Sequence, residues 1–232
     1  MIEQPQQLNL TRKKTRDEIA AAYESPPWWY DVRGFFILTF AYNSTLWSQF
    51  RFFGPNFGAT HLEVACGTGT LLELFLNWRK RHALPKGQII GVDYAESMLG
   101  GAIKRFRNDA TMRFDLADAA AMEYRDNSFD TVNIANSVHC FPDVDGALRE
   151  VFRVLKPGGT LAINVLLYPS GWAPLRLLAD RINNWGIRKG ILVSPFEKSD
   201  IQLRLRNAGF EPVSEEVSGN CLNALVCKPP RP

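Results

Sequence analysis

Cysteine is scarce in this chain of 232 residues, and the cysteines it has form no recognisable pair. The four of them show neither a CxxC motif nor a His/Cys spacing suited to zinc, which argues against a disulfide scaffold and a structural metal site. The chain also begins without the charged and apolar pattern of a signal peptide. We therefore expect no metal ligands and a reduced, cytoplasmic setting.

A strong charge imbalance and a continuous apolar segment are missing as well. The net charge is only +3, and lysine and arginine occur in short separate groups rather than in the basic stripe of a nucleic-acid-binding protein. The most apolar stretch, residues 35–53, is interrupted by polar residues too often to span a bilayer. Two interpretations of it stay open: contact with a membrane surface or an apolar pocket, or an aromatic helix packed on the core.

What the sequence does contain, from residue 58 onward, is an alternation of apolar strands and amphipathic helices. Strands separated by helices predict an α/β fold with a doubly wound, mostly parallel sheet. The last two strands are joined by so short a link that they must pair antiparallel, so the predicted seven-stranded sheet ends in a hairpin. The predicted strands cover residues 60–66, 87–94, 111–118, 129–138, 159–168, 211–217 and 221–227, and the helices between them cover 69–82, 96–107, 144–155 and 199–210.

The composition changes near residue 57. A turn-rich segment, residues 53–58, separates an aromatic N-terminal part from the alternating pattern. We therefore predict an N-terminal helical aromatic cap over residues 1–57 and a ligand-binding Rossmann-like domain over residues 58–232. Within that domain the irregular segment 169–198 is predicted to be an insertion on the substrate side.

A glycine-rich turn, "EVACGTG", follows the first predicted strand. Ligands of open α/β sheets bind at the carboxyl ends of strands, and Gly67 and Gly69 would let the backbone approach such a ligand closely. The third glycine of a dinucleotide fingerprint should stand at position 72, which is leucine, and the Lys-Ser/Thr ending of a phosphate-binding loop is missing. The turn is therefore a poor match to a pyrophosphate or triphosphate site.

Acidic residues accompany this turn. Glu63 precedes it within the strand, where a carboxylate would repel a pyrophosphate but attract the amino or sulfonium group of a cationic ligand. Asp93 ends the second predicted strand, where an acid suits the two ribose hydroxyls of NAD or of another adenosine-containing ligand. Asp118, with Ala119, follows the third strand and is placed to meet the edge of an adenine.

Five segments in register resemble the class I S-adenosylmethionine-dependent methyltransferases, and among them the small-molecule branch that includes the ubiquinone/menaquinone C-methyltransferases. They are "LEVACGTGTL", "IIGVDYAESML", "LADAAAMEYRDNSFDTV", "NSVHCFPD" and "LREVFRVLKPGGTL", which together cover about residues 60–165. The resemblance implies S-adenosylmethionine as the cofactor of the domain 58–232. It also implies the site residues: Glu63, Ala65, Gly67 and Gly69 at the methionine part, Asp93 at the ribose, Tyr94 and Met98 beside the adenine, Asp118 and Ala119 at its edge, and Asn136 in the same site.

Methyl transfer from a sulfonium is an in-line displacement that needs alignment and a dry pocket more than acid–base groups. If the acceptor must lose a proton, His139, just after the fourth strand, is the predicted base, and Tyr30 is a weaker catalytic candidate. The aromatic residues between 28 and 57 favour a lipophilic or aromatic acceptor, quinol- or phenol-like, over a small amine or a phospholipid head group. Contact with a membrane surface through residues 35–53 stays open as an alternative.

Two other classes of function stay open. One is a cofactor-binding protein without turnover, because a fold can outlive its chemistry. The other is an NAD-dependent oxidoreductase, which Leu72 and the final hairpin disfavour. The segment "SPPWW", residues 25–29, looks like a base-gripping motif of DNA amino-methyltransferases, but it follows a helical run instead of a strand, so nucleic acid is not a predicted partner. The sequence does not indicate an oligomeric state.

Overall fold

The computed structural model describes residues 45–170, 172–188 and 195–230, where the chain forms a sheet covered by helices. Residues 1–44, which make up most of the predicted cap and include Tyr30, lie outside the described residues. The elements are α1 (Leu46–Phe53), β1 (Thr60–Val64), α2 (Thr70–Arg81), β2 (Gln88–Asp93), α3 (Glu96–Arg105), β3 (Met112–Leu116), β4 (Phe129–Ile134), a 3₁₀ turn (Val138–Cys140), α4 (Val144–Val154), β5 (Leu155–Leu166), α5 (Ala173–Arg188), α6 (Lys198–Asn207), β6 (Glu211–Ser218) and β7 (Cys221–Cys227).

The described strands form one seven-stranded sheet in the order β3-β2-β1-β4-β5-β7-β6. Strands β1 to β5 run parallel, β7 runs antiparallel to β5, and β6 pairs antiparallel with β7. The predicted fold class, including the antiparallel end of the sheet, is confirmed. The strand order changes direction between β1 and β4, and such a switch opens a crevice at the carboxyl ends of the strands.

Strand β5 begins earlier than the sequence pattern predicts. The predicted strand starts at residue 159, whereas β5 starts at Leu155, which pairs with Phe129 of β4. Pro157 disfavours helical backbone at the residue before it, so the chain leaves α4 directly into extended structure. Gly158 then adopts a φ of 79°, beside a shift of register in the β4–β5 pairing.

Alternation along β1 gives the sheet two different faces. Leu62 and Val64 point to one face and belong to a large apolar core with side chains of α4 and α6. His61 and Glu63 point to the other face, and both are almost completely buried. Glu63 is in register with Asn133 of β4, which is also buried, so this face carries an unusual number of polar groups beneath its helices.

The described part of the aromatic stretch 35–53 is α1, which packs on the polar face. The rings of Phe53 and Phe75 stack with centroids 5.2 Å apart, and Phe50 meets Phe75 edge-on at 6.3 Å. Trp47 points to solvent and is 59% exposed. For its last nine residues, therefore, the interpretation as an aromatic helix on the core is correct. Within the described segments, every helix falls short of the length and hydropathy that crossing a bilayer takes.

Arg79 of α2 fastens the segment between α1 and β1. Its guanidinium donates hydrogen bonds to the carbonyl oxygens of Gly54 at 2.6 Å, Pro85 at 2.5 Å and Phe57 at 3.4 Å, and it lies 4.9 Å from the centre of the Phe57 ring. Burial lowers the pKa of Arg79. These contacts fix the segment between α1 and β1, and so they hold α1 beside the sheet. The predicted domain boundary at residue 57 lies in this segment and stays a prediction.

Candidate active site

A cleft lies at the carboxyl ends of the parallel strands, where the strand order changes direction. Its walls come from the turns after β1, β2, β3 and β4 and from the start of α4. Eight of the ten cofactor residues expected from the sequence meet there, whereas Glu63 and Gly69 are not among the lining residues. The eight are Ala65, Gly67, Asp93, Tyr94, Met98, Asp118, Ala119 and Asn136.

The turn after β1 is built from residues in left-handed backbone conformations. Ala65 and Gly67 both have a φ of 56°, and Gly69, which caps α2, has a φ of 75°. A Cβ atom on Gly69 would lie 2.8 Å from the ring of Phe106, so this glycine allows α2 to approach the end of α3. The turn therefore brings bare backbone to the cleft at Gly67, while Gly69 serves the packing of helices.

Asp93 joins the turn after β1 to the turn after β2. Its Oδ2 accepts a hydrogen bond from the Gly67 N–H at 2.7 Å, and its Oδ1 accepts one from the Ala95 N–H at 2.9 Å. Burial raises the pKa of Asp93, and these backbone donors act in the opposite direction. Each carboxylate oxygen has a further lone pair, so Asp93 can accept hydrogen bonds from two neighbouring hydroxyl groups of a ligand.

Another part of the cleft wall has the features of a site for a flat ring. Oδ1 of Asp118 accepts a hydrogen bond from the Ala120 N–H at 2.9 Å, which fixes the carboxylate at the wall. Met98 is 1% exposed and forms an apolar surface of the same cleft, beside Tyr94. A carboxylate that accepts hydrogen bonds next to an apolar slot suits an aromatic base that carries an amino group.

Glu63 contacts a neighbour on its own strand. Its Oε2 lies 3.2 Å from Nε2 of His61, and Nδ1 of His61 lies 2.8 Å from Oγ1 of Thr131. Residues two apart on a strand share a face, which explains why Glu63 and His61 meet. Burial lowers the pKa of His61. The expected contact of Glu63 with the methionine part of a cofactor stays a prediction.

Asn136 is held at the cleft by two amide side chains that the sequence analysis missed. Gln49 of α1 and Asn136 exchange two hydrogen bonds, of 3.0 and 2.8 Å, between their carboxamides. Asn164 of β5 donates to Oδ1 of Asn136 and accepts from the Asn136 N–H, both at 2.6 Å. Asn136 itself has a φ of 55°. Asn164 could have been found as a polar residue inside an apolar strand, whereas no sequence signal connects Gln49 with Asn136.

A second cleft adjoins the first and shares Phe141, Pro142 and Asp143 with it. Its remaining lining residues are His139, Val144, Asp145, Tyr168, Pro195, Phe196, Glu197, Asp200 and Arg204. Burial lowers the pKa of His139 to about 4. The imidazole is therefore neutral at ordinary pH and able to accept a proton, but it is a weaker base than an ordinary histidine. The structure thus places the predicted base beside the predicted cofactor cleft.

Comparisons with known proteins agree with this geometry. Residues 62–163 match the family model described as a methyltransferase domain. The demethylmenaquinone methyltransferase of Lactobacillus johnsonii is 35% identical over 105 residues, which cover 44% of this chain and 41% of that protein. The ubiquinone/menaquinone biosynthesis C-methyltransferase UbiE of Escherichia coli is 31% identical over 159 residues, which cover 66% of this chain and 61% of that protein. This chain therefore spans less than two thirds of either relative.

One solved structure with the same fold is phosphoethanolamine N-methyltransferase 2 of Haemonchus contortus, in complex with phosphomonomethylethanolamine and S-adenosylhomocysteine. Its TM-score is 0.62 at 18% identity, with 79% of this chain and 53% of that chain covered. At this identity the likeness shows the fold alone. The resemblance to class I methyltransferases that the sequence motifs indicate is confirmed by the family match.

Proposed function

We propose that this chain transfers a methyl group from S-adenosylmethionine to a small lipophilic acceptor, because residues 62–163 match the family model of a methyltransferase domain. The observation that carries the proposal is the cleft whose lining holds Asp93 and Asp118 together with apolar side chains such as Met98. One carboxylate at the end of β2 and another after β3 suit the ribose and the base of an adenosine. The exposed backbone at Gly67 suits the part of the ligand next to the ribose.

The residues of the cleft fit this cofactor. Asp93 would accept hydrogen bonds from the ribose hydroxyls, and Asp118 would accept one from the adenine amino group while Tyr94 and Met98 lie against the ring. The Ser137 hydroxyl at the wall is buried and has no hydrogen-bond partner among the described residues, so a ligand could satisfy it. When bound, S-adenosylmethionine supplies a methyl group activated by a sulfonium.

The second cleft is the proposed place of the acceptor. Phe141, Phe196, Pro195 and Tyr168 give it an apolar and aromatic wall, which supports a lipophilic or aromatic acceptor. The names of the two relatives, which refer to menaquinone and ubiquinone, support a quinol-like molecule. A carbon of such an acceptor would form a bond to the methyl carbon while the methyl–sulfur bond breaks. His139 would take the proton that the acceptor loses, and Tyr30 stays a second catalytic candidate.

A second candidate is methyl transfer to an amine, such as a small amine or a phospholipid head group. The observation that favours it is the acidic rim of the second cleft, where Glu197 stands with three aspartates. Arg204 neutralises two of these, since it bonds Asp145 at 2.8 Å and Asp200 at 3.0 Å. The remaining negative charge would attract an ammonium group.

The test is a screen of the purified chain with S-adenosylmethionine and a panel of quinols, phenols, ethanolamine derivatives and other amines, with S-adenosylhomocysteine as the measured product. Product formed with a naphthoquinol or phenol supports the proposal, and product formed only with amines favours the second candidate. Tight binding of S-adenosylhomocysteine without turnover of any acceptor would support the alternative that the chain is a cofactor-binding protein without transfer activity. Binding of NADH in its place would point to an oxidoreductase.

A further inference from the structure

Helix α5 carries several large apolar side chains on its outer face. Leu177, Leu178 and Trp185 are 57%, 40% and 38% exposed. Among the described residues of the same helix, the buried ones are Ala179, Asn183 and Gly186, and Ile182 is half-buried. A surface helix of a globular protein normally shows the reverse, with large apolar residues turned to the core. The outer face of α5 therefore has the composition of a contact surface.

Arginines are interspersed with these apolar residues. At 100° per residue, Leu178 and Trp185 lie one above the other, and Leu177, Arg181 and Arg188 lie beside them on the same side of the helix. Arg181 and Arg188 are exposed, as is Arg176 near the start of α5. The helix contains three arginines and a single aspartate, so its charge is positive. Trp172, just before the helix, is 71% exposed.

Helix α5 is connected to the rim of the second cleft. Along the chain, α5 lies between Tyr168, two residues after β5, and Phe196, which forms an isolated bridge with Leu167. Tyr168 and Phe196 both line that cleft. The Tyr168 N–H donates to the Phe196 carbonyl at 3.2 Å, and the Phe196 N–H donates to the Leu166 carbonyl at 2.9 Å. A surface that receives α5 would therefore lie beside the proposed entrance for the acceptor.

We propose that the outer face of α5 (Leu177, Leu178, Arg181, Trp185 and Arg188) binds the surface of an anionic lipid bilayer, with the helix lying in the plane of the interface. The apolar side chains enter the boundary of the acyl chains, and the arginines reach the phosphates of the head groups on their long apolar stems. Tryptophan and arginine together suit this boundary, which is apolar on one side and negatively charged on the other.

Charge favours a bilayer over a second copy of this chain. In a two-fold interface formed by α5, the arginines of one copy would face those of the other, and like charges would lose water without gaining a counterion. Only the role we give to lipid binding, which is delivery of a lipophilic acceptor to the second cleft, rests on the proposed function. Binding to lipid itself needs neither cofactor nor turnover.

The test is flotation of the full chain with vesicles of phosphatidylcholine alone and with vesicles that contain phosphatidylcholine and phosphatidylglycerol at about three to one. We expect the wild type to float with the anionic vesicles. The double variant Leu178→Glu, Trp185→Glu should bind them at least about tenfold more weakly, since two carboxylates replace two inserted apolar side chains. Leu203→Glu, a matched change at an exposed leucine of α6, should bind like the wild type.

Calorimetric binding of S-adenosylhomocysteine checks that each variant is folded. The proposal is wrong if the wild type does not float with the anionic vesicles. It is also wrong if the double variant floats with them to the same extent as the wild type. It is also wrong if the double substitution abolishes an oligomer of the free protein, because α5 would then be a protein interface. A chain that floats but methylates no acceptor would contradict the proposed function and leave the lipid surface intact.

Discussion

Asp93 connects two backbone turns and is also the proposed hydrogen-bond acceptor for the ribose. A substitution that keeps its size but removes its charge tests how much the carboxylate contributes to cofactor binding. Asp93→Asn keeps the size of the side chain but removes the carboxylate that accepts from Gly67 and Ala95. We expect the affinity for S-adenosylhomocysteine to fall about 10- to 100-fold, because hydrogen bonds to a charged group contribute roughly 1.5–3 kcal/mol. Titration calorimetry measures the change, with Asp126→Asn at an exposed site as the control. An affinity within twofold of the wild type would remove Asp93 from the site.

The pKa of His139 sets the acidic limit of catalysis if this residue is the base. Burial lowers that pKa to about 4, so the imidazole becomes protonated and inactive only when the pH falls through that value. We therefore expect turnover to stay constant well below pH 6.5, the ordinary pKa of histidine. His139→Ala should lose about 100-fold or more in turnover with little change in cofactor affinity. A pH–rate profile with a midpoint near 6.5, or an unimpaired alanine variant, contradicts this role.

Ala65 occupies a left-handed conformation that a glycine would adopt without strain. A residue with a Cβ destabilises the folded state there by roughly 1–2 kcal/mol, and glycine would remove this strain. The larger backbone entropy of glycine in the unfolded chain offsets about 0.5–1 kcal/mol of the stability gained. Ala65→Gly should therefore raise the free energy of unfolding by up to about 1 kcal/mol, measured by urea denaturation. Ala110→Gly, at an exposed position without a positive φ, should leave stability equal or lower. A loss of stability in Ala65→Gly would show that the methyl group of Ala65 contributes packing that outweighs the strain.

At the scale of elements, α1 reaches the cleft through one side chain. Gln49 is 1% exposed and exchanges two hydrogen bonds with Asn136. Gln49→Leu should leave the Asn136 amide short of partners, which costs about 1–3 kcal/mol of stability. We also expect KM for S-adenosylmethionine to rise about tenfold with kcat less affected, since the chemistry lies beyond this residue.

Trp47→Leu on the exposed side of α1 is the matched control for Gln49→Leu, and it should change neither quantity. Urea denaturation and initial-rate kinetics measure the two effects. If Gln49→Leu unfolds and reacts like the wild type, α1 packs on the sheet without influencing the cleft.

The sequence predicts the elements better than it predicts the direction of their side chains. The alternation of strands and helices, the hairpin and the turns that carry Asp93 and Asp118 follow from local patterns, because each depends on residues close together in the chain. Glu63 shows where such reasoning stops. That Glu63 shares a face with His61 follows from strand alternation, but the burial of both side chains depends on which helices cover that face. The bonds from Gln49 to Asn136 join residues 87 apart in sequence, and no local pattern predicts them.

At the scale of the molecule, the place of α5 along the chain relates it to the proposed site of methyl transfer. The cofactor cleft and the second cleft share wall residues, and the segment that carries α5 begins and ends at the rim of the second. This arrangement predicts that the chain takes a lipophilic acceptor from a bilayer rather than from water. The two proposals, transfer and lipid binding, can therefore be tested together in a single assay.

We expect turnover of a long-chain quinol embedded in anionic vesicles to fall about tenfold in the double variant Leu178→Glu, Trp185→Glu, in parallel with its loss of lipid binding. Turnover of a short-chain, water-soluble analogue should be unchanged, since the substituted residues line neither cleft. S-adenosylhomocysteine release measures both reactions on the same protein preparations, with Leu203→Glu as the control. Equal losses with the two acceptors would mean that the substitutions disturb the second cleft itself, whereas no loss with either would mean that the quinol reaches the cleft without passing α5.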